Sequence, residues 1–258
     1  MKHFCLLLTI LTFTPFSSNA STGHSHQKDL DHHTKYSVFP GKRKVVLTID
    51  DGPSPRATPS MLETLRKYNI KATFFVLGKN AKRYPELMEE IRRDGHIVAN
   101  HSYEHKNFSN FSRFGLKKTL KTSFFGAHSA LVPYSDGAQH FYFRAPGGAW
   151  QEKAAKIINK TDIGKSYIGP VYWDIGGSVV EGRNGKYLQA ADWNCWSKRM
   201  SVDECLEGYV NETNKKNGGV ILMHDIHGNS AKLLEKLIPS LLSQSYDFIS
   251  LDEVGLKP

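Results

Sequence analysis

Cysteine is scarce in this chain, at three residues in 258, and one of them, Cys5, sits inside an N-terminal apolar run. That excludes a cysteine-dense scaffold of the kind that replaces a core with disulfides. Long apolar runs are lacking too. Phe4–Leu11 is shorter than the roughly 20 residues a membrane-spanning helix needs, so no permanent membrane anchor is expected. Acidic residues are fewer than basic ones, 25 against 34, which leaves a net charge of +9. The excess admits anionic partners, but no DNA- or RNA-reading motif accompanies it, and nucleic acid is not expected to be one of them. There is neither an internal repeat nor a sign of a second core.

What is present begins with Met1-Lys2-His3, the apolar run, and the small residues Ser18-Asn19-Ala20. This is the pattern of a cleaved export signal, so residues 1–20 read as a signal peptide and the mature protein as secreted. Residues 21–42 read as a His-rich linker carrying His24, His26, His32 and His33. A metal-scavenging role for that arm is an alternative, since closely spaced imidazoles bind divalent ions. Residues 43–258 are long enough for one α/β barrel, expected as a monomer. Cys195 and Cys205 remain after cleavage, and in an oxidising compartment they are reasonable disulfide partners.

From Arg43 onward apolar runs alternate with helical patterns. Strands are expected at 45–49, 72–78, 95–100, 141–144, 167–173, 219–223 and 248–251. Helices are expected from Thr58 (as N-cap, with Pro59 at the first position), at 85–93, 108–131, 152–159, from Ser201 with a Ser-x-x-Glu capping box, and at 231–242. Such alternation predicts a parallel sheet of about seven strands, in a chain whose length suits a (β/α) barrel. A Gly-, Asn- and Lys-containing insertion at 176–187 interrupts it.

Polar residues gather at the strand ends. Asp50 and Asp51 follow the first strand, His101 the third, Arg144 ends the fourth, Asp174 follows the fifth and His224 the sixth. Parallel barrel strands end on one face, where barrel enzymes place their sites. His101 and His105 stand at i and i+4; if one helical turn begins there, both imidazoles point the same way and can grip a metal. One aspartate would complete two His and one Asp with positions open for water and substrate, as in a catalytic site. Adjacent carboxylates at a convergent end repel unless a cation or a proton is shared, so the second is free to act as a base.

Thr48-Ile49-Asp50-Asp51-Gly52-Pro53, His101-Ser102-Tyr103-Glu104-His105, Arg144-Ala145-Pro146-Gly147 and Leu222-Met223-His224 occur in order. Together they resemble the motifs of polysaccharide deacetylases of carbohydrate esterase family four, over about Lys44 to Val254. The resemblance implies a distorted (β/α) barrel of about seven parallel strands, of the deacetylase type, and a divalent metal, zinc foremost with cobalt or manganese as alternatives, held by Asp51, His101 and His105. It further implies Asp50 as general base, paired with Arg144, and His224 as general acid. Gly147 would contribute an oxyanion N–H, Leu222 would line the acetyl pocket, and Trp193 would face the sugar or the core. One motif departs from the family. Asp192-Trp193 is present, but Gln189 stands where an aspartate is usual, and Asp192 lies far behind the fifth strand. Asp192 and Asp174 are therefore rivals for orienting His224.

The implied substrate is an N-acetylglucosamine polymer, with peptidoglycan favoured over chitin-type oligosaccharide because the chain is basic and carries an export signal. A non-catalytic glycan-binding protein on the same fold is the contrasting class. Such a chain should have lost the base, a ligand or the acid, and this one retains residues for all three.

Overall fold

A computed structural model describes residues 42–109, 112–138, 140–182, 185–197 and 200–254. The expected export signal and all but the last residue of the expected linker lie outside the described residues. In chain order the elements are β1 (Lys44–Asp50), α1 (Thr58–Tyr68), β2 (Thr73–Val76), α2 (Gly78–Arg83), α3 (Pro85–Arg93) and β3 (Ile97–Asn100). There follow α4 (Arg113–Thr119), a π-helical turn at Leu120–Phe124, α5 (Phe125–Leu131), β4 (Phe141–Tyr142), α6 (Glu152–Ile158), α7 (Asp162–Lys165) and β5 (Tyr167–Ile168). The remainder is β6 (Val179–Glu181), β7 (Tyr187–Gln189), α8 (Trp193–Trp196), α9 (Val202–Lys216), β8 (Gly218–His224), α10 (Gly228–Leu242) and β9 (Asp247–Phe248).

β1 is buried along six of its seven residues, which is why it reads as a continuous apolar run rather than an alternating one. It pairs in parallel with β2, β8 and β9, and β2 pairs in parallel with β3. The ring continues through single contacts. A parallel bridge joins Asn100 of β3 to Phe143 beyond β4, β4 pairs with β5, and Ile175 bridges back to Ile221 of β8. Six parallel strands, β1 to β5 and β8, thus close the ring, with β9 a seventh parallel strand beside the start of β1, and the irregular seams are what distort the barrel. The period of two along β1 sorts its side chains. Val45, Leu47 and Ile49 pack outward against Met61, Leu62, Leu234 and their neighbours, while Val46 joins Phe75, Tyr142 and Val220 inside. Thr48 and Asp50 share the inner face with Val46, so Asp50 arrives at the barrel mouth.

Four expectations are corrected. The fifth strand, expected at 167–173, is paired as a ladder only at Tyr167–Ile168, because Pro170 has no N–H to donate. The last, expected at 248–251, pairs over Asp247–Phe248 before a 3₁₀ turn at Asp252–Val254. The helix expected from Phe108 begins at Arg113, and Phe108 instead fills an aromatic core with Phe124, Phe143 and Tyr167. Thr58 does not cap α1 from its N-cap position; that place is held by Ala57. Ser201 does form the expected capping box with Glu204. The insertion holds an antiparallel hairpin, β6–β7, that the residue pattern did not announce.

Cys195 and Cys205 are bridged, tying α8 to α9. A disulfide contributes ~2–4 kcal/mol, mainly by limiting the unfolded chain.

His96 yields a prediction about stability. Its ring is buried, its Nδ1 accepts a hydrogen bond from the Ala72 N–H at 3.2 Å, and Nε2 is buried with no partner. Burial first, and then the nearby Lys71 charge, push its pKa down to about 4 from an ordinary 6.5. The unfolded chain binds this proton more readily, so the stability His96 confers is present above pH 6.5 and drains away as pH falls to about 4. His96→Asn retains an acceptor for Ala72. By urea unfolding, the parent should lose on the order of 3 kcal/mol more than this variant between those pH values.

Candidate active site

The site is assembled at the C-terminal ends of β1, β3, β4 and β8. Chain direction changes abruptly after Asp50: Asp51 has φ 76°, a left-handed conformation that costs a non-glycine residue free energy and occurs most at functional sites. Gly52 is required here for space, because a Cβ at that position would lie 2.1 Å from both carboxylate oxygens of Asp225. Asp225 itself is fully buried and receives the Thr58 hydroxyl proton at 2.5 Å, which is where the supposed capping side chain goes. Burial pushes the Asp225 carboxyl up to about 7, and its Oδ1 has no hydrogen-bond partner.

His101 and His105 converge, but not on a helical turn. Ser102 (φ 72°) and His105 (φ 62°) are both left-handed, and the loop is held by Asn100 Oδ1 accepting from Ser102 N and Ser102 Oγ accepting from His105 N. Side-chain hydrogen bonds to the backbone replace the helix, so the i, i+4 argument reached the right pair through the wrong geometry. The two rings lie 5.2 Å apart between centroids. Asp51 Oδ1 stands 3.5 Å from His101 Nε2 and 3.3 Å from His105 Nε2. Among the described residues this is the one group of three metal-binding side chains whose ligand atoms come together, all within 4.8 Å. Asp51 Oδ1 is buried without a hydrogen-bond partner, the condition of an atom that a cation would satisfy. His101 is buried, and desolvation pushes its pKa down to about 3, with the Asp51 charge opposing. The ring is therefore neutral. Its Nδ1–H donates to the Arg144 carbonyl at 2.9 Å, leaving the Nε2 lone pair facing Asp51. The donor set fits a divalent ion.

Asp50 has a different partner. Arg144, buried to 1% exposure, donates from Nη1 to Asp50 Oδ1 at 2.7 Å. The same guanidinium donates to Thr48 Oγ1 and to the carbonyls of Val171 and Tyr172, and it stacks 4.2 Å over Phe75. Burial raises the Asp50 pKa, opposed by Arg144 and then His224.

Asp192, not Asp174, holds His224. His224 Nδ1 lies 2.8 Å from Asp192 Oδ1, and Asp192 Oδ2 accepts from the His224 backbone N–H and from Ser230 Oγ. Asp174 spends its carboxylate on the Val220 N–H, four residues and ~13 Å earlier along β8. Desolvation pulls the His224 pKa down, but the Asp192 charge and hydrogen bond, then Asp50 and Asp51, outweigh it and push the ring up to about 9.

A cleft of about 350 Å³ opens above these groups, lined by Asp50, Asp51, His101, His105 and His224 together with Gly147, Trp193 and Leu222. Every residue expected at the site is thus at or directly behind the cleft. Gly147 has φ 59°, which explains the glycine. Trp193 is half-buried on the wall rather than in the core. Sequence reasoning missed Trp173 on the cleft wall, Ser230 behind Asp192, and Trp196, whose ring centroid is 5.6 Å from that of His224, while the insertion residues Gly176 and Gly177 and the departing Gln189 are found on the same wall. Adjacency to His224 was the available signal for Asp225.

A family model described as polysaccharide deacetylase matches residues 38–164. The chitooligosaccharide deacetylase of Azorhizobium caulinodans is 31% identical over 188 residues, 73% of this chain and 76% of that protein. The peptidoglycan-N-acetylglucosamine deacetylase PgdA of Listeria monocytogenes is 30% identical over 82% of this chain, which spans only 39% of the Listeria protein's length. A solved peptidoglycan N-acetylglucosamine deacetylase superposes with a TM-score of 0.64 at 27% identity, covering 83% of this chain and 88% of that one.

The His224–Asp192 geometry predicts a titration. In Asp192→Asn the ring stays buried but loses its compensating charge, so its pKa should fall from about 9 toward or below the ordinary histidine value of 6.5. Imidazole NMR shifts followed against pH report it directly, and an unmoved pKa would show that Asp192 does not set the charge.

Proposed function

The chain belongs to the polysaccharide deacetylase family, and from that premise we propose that it is a metal-dependent hydrolase removing N-acetyl groups from an N-acetylglucosamine-containing polysaccharide outside the cytoplasm. One observation carries the reading. Three ligand atoms of Asp51, His101 and His105 converge on one point, while the neighbouring carboxylate, Asp50, is held by Arg144. A metal held there acts as a Lewis acid on the acetyl carbonyl and lowers the pKa of water. Zinc suits two imidazoles and a carboxylate, with cobalt or manganese as substitutes.

In this reading Asp50 takes the proton of the attacking water. Arg144 keeps it ionised and aimed, while burial keeps it a stronger base than a solvated aspartate. Water oxygen bonds to the acetyl carbon, the carbon–nitrogen bond breaks, and acetate leaves. Gly147 N–H supports the developing oxyanion. His224, charged at neutral pH through Asp192, gives its proton to the departing amine. Leu222 receives the acetyl methyl, and Trp193 lies against the sugar.

Peptidoglycan is the favoured polymer, with chitin-type oligosaccharide the alternative. Relatives bearing both substrate names exist, so charge weighs in the choice. Residues 106–165 carry ten Lys/Arg against three Asp/Glu, and Lys117, Lys118, Lys121, Lys153, Lys156 and Lys160 are exposed there on α4, the π turn, α6 and just beyond. That flank suits a polymer whose peptide stems bear carboxylates, an attraction that salt weakens. Secretion and a monomeric state belong to the same proposal.

Mass analysis of purified peptidoglycan and of chitin oligomers after incubation tests the substrate. Loss of acetyl mass from peptidoglycan is the expected result, and deacetylated chitin beside untouched wall would reverse the choice of polymer. For the metal, one divalent ion per chain should be lost on chelation and restored by zinc or cobalt. His101→Ala should fail to retain it, read by elemental analysis. Asp50→Asn should keep the ion yet lose about 100- to 10,000-fold in turnover, the usual contribution of a positioned base.

A further inference from the structure

The β6–β7 hairpin belongs to the insertion that sets this chain apart from its family, and it stands beside the cleft. Its register pairs Val179 with Gln189, Val180 with Leu188 and Glu181 with Tyr187. Val180 and Leu188 point inward, buried with Ala190 against Met200. The alternation of a strand therefore gives the other four residues one common outer face. At one end of that face Gln189 lines the same cleft as the metal-binding triad and Trp193. At the other end, two residues and ~7 Å along β7, Tyr187 presents its ring at 73% exposure. Glu181 stands directly across from it and is also exposed. Among the described residues, no ring contact or hydrogen bond of Tyr187 explains a large aromatic ring turned into solvent beside a carboxylate.

The hairpin is fixed before any ligand arrives. Asn211 of α9 donates to the Glu181 carbonyl at 3.0 Å, Gly182 N donates to Lys186 O at 2.7 Å, and Lys186 is ion-paired with Glu204. Glu212 accepts from Gly176 N at 2.9 Å where the insertion begins. A platform held this way costs little ordering when it binds.

We propose that the outer face of the β6–β7 hairpin is a second sugar subsite, in which Tyr187 stacks on the pyranose next to the one being deacetylated and Glu181 accepts its hydroxyls. The apolar C–H face of a β-linked pyranose matches the tyrosine ring, and its equatorial hydroxyls are donors for a carboxylate. Gln189, the residue that departs from the family pattern, then lies between the two sugars. The proposal rests on reading the cleft as a deacetylase site, and its test separates the two.

The probes are N-acetylglucosamine oligomers from dimer to hexamer, with binding followed by calorimetry and turnover by mass. In the parent, affinity and kcat/KM should rise with chain length once the neighbouring sugar can reach Tyr187. Tyr187→Ala should flatten that rise by about tenfold, mainly in KM, which corresponds to about 1.4 kcal/mol of lost contact. Tyr187→Phe should restore it. Equal losses at every length, or a Tyr187→Phe variant as weak as the alanine one, would overturn the subsite. Oligomers that bind with the expected length dependence but lose no acetyl group, beside peptidoglycan that also keeps its acetyl groups, would leave the subsite standing and remove the deacetylase reading.

Discussion

Arg144 spreads its guanidinium donors over β1 and the 171–172 segment, and its own carbonyl takes the Nδ1–H of His101 from β3. It is among the largest fully buried side chains, packed between Phe75 and Trp173 inside the barrel. A charge in that position persists only if paired, and removing one partner of a buried pair costs ~3–5 kcal/mol. The pair with Asp50 is therefore a structural requirement as much as a chemical one. One residue orients the proposed base through its side chain and a proposed metal-ligand imidazole through its backbone. The irregular seam between β3 and β4 is the place where both can happen, since Arg144 N also closes a hydrogen bond to Asn100 O.

A second arrangement mirrors the first with opposite sign. Asp192 is the buried anion, and His224 is the partially exposed cation at the cleft. Ser230 and the His224 N–H occupy the second carboxylate oxygen, while Tyr209 accepts from the Asp192 N–H and donates to the Leu222 carbonyl. Burial works against charge on both His224 and Asp50, and in each case a fixed counter-charge opposes it. The two groups are thereby held in opposite charge states, which suits the opposite tasks proposed for them, giving a proton and taking one. α8 supplies Asp192 at its start and Cys195 within it, so the disulfide to α9 braces the same unit that positions His224.

The barrel and the triad were legible because they follow from local facts. Apolar runs buried on both faces mark parallel strands, and Asp50, Asp51, His101 and His224 sit directly at their ends. What depended on distant packing was not legible. Whether Asp192 or Asp174 meets His224 is decided by where the 174–192 segment is pinned, and Lys216, Glu212 and Ser178 do the pinning. The His101–His105 loop took left-handed backbone where a helical turn was expected, because Asn100 and Ser102 offer it side-chain hydrogen bonds. The hairpin escaped notice because its outer residues mix Val179, Glu181, Tyr187 and Gln189, with only two apolar positions facing in. Asp225 hid behind the more conspicuous His224.

The contact between Gly52 and Asp225 reaches beyond this one chain. With a Cβ at position 52 the two carboxylate oxygens would be overlapped, so Gly52 is not free to gain a side chain while Asp225 stays. Any descendant that gained a side chain at position 52 would need a smaller residue at position 225 first, and Thr58 would then lose its acceptor. A side chain at position 52 should therefore occur only beside a smaller residue at position 225. Their joint variation across a lineage would be a molecular record of whether the loop bearing Asp51 had been held in place throughout.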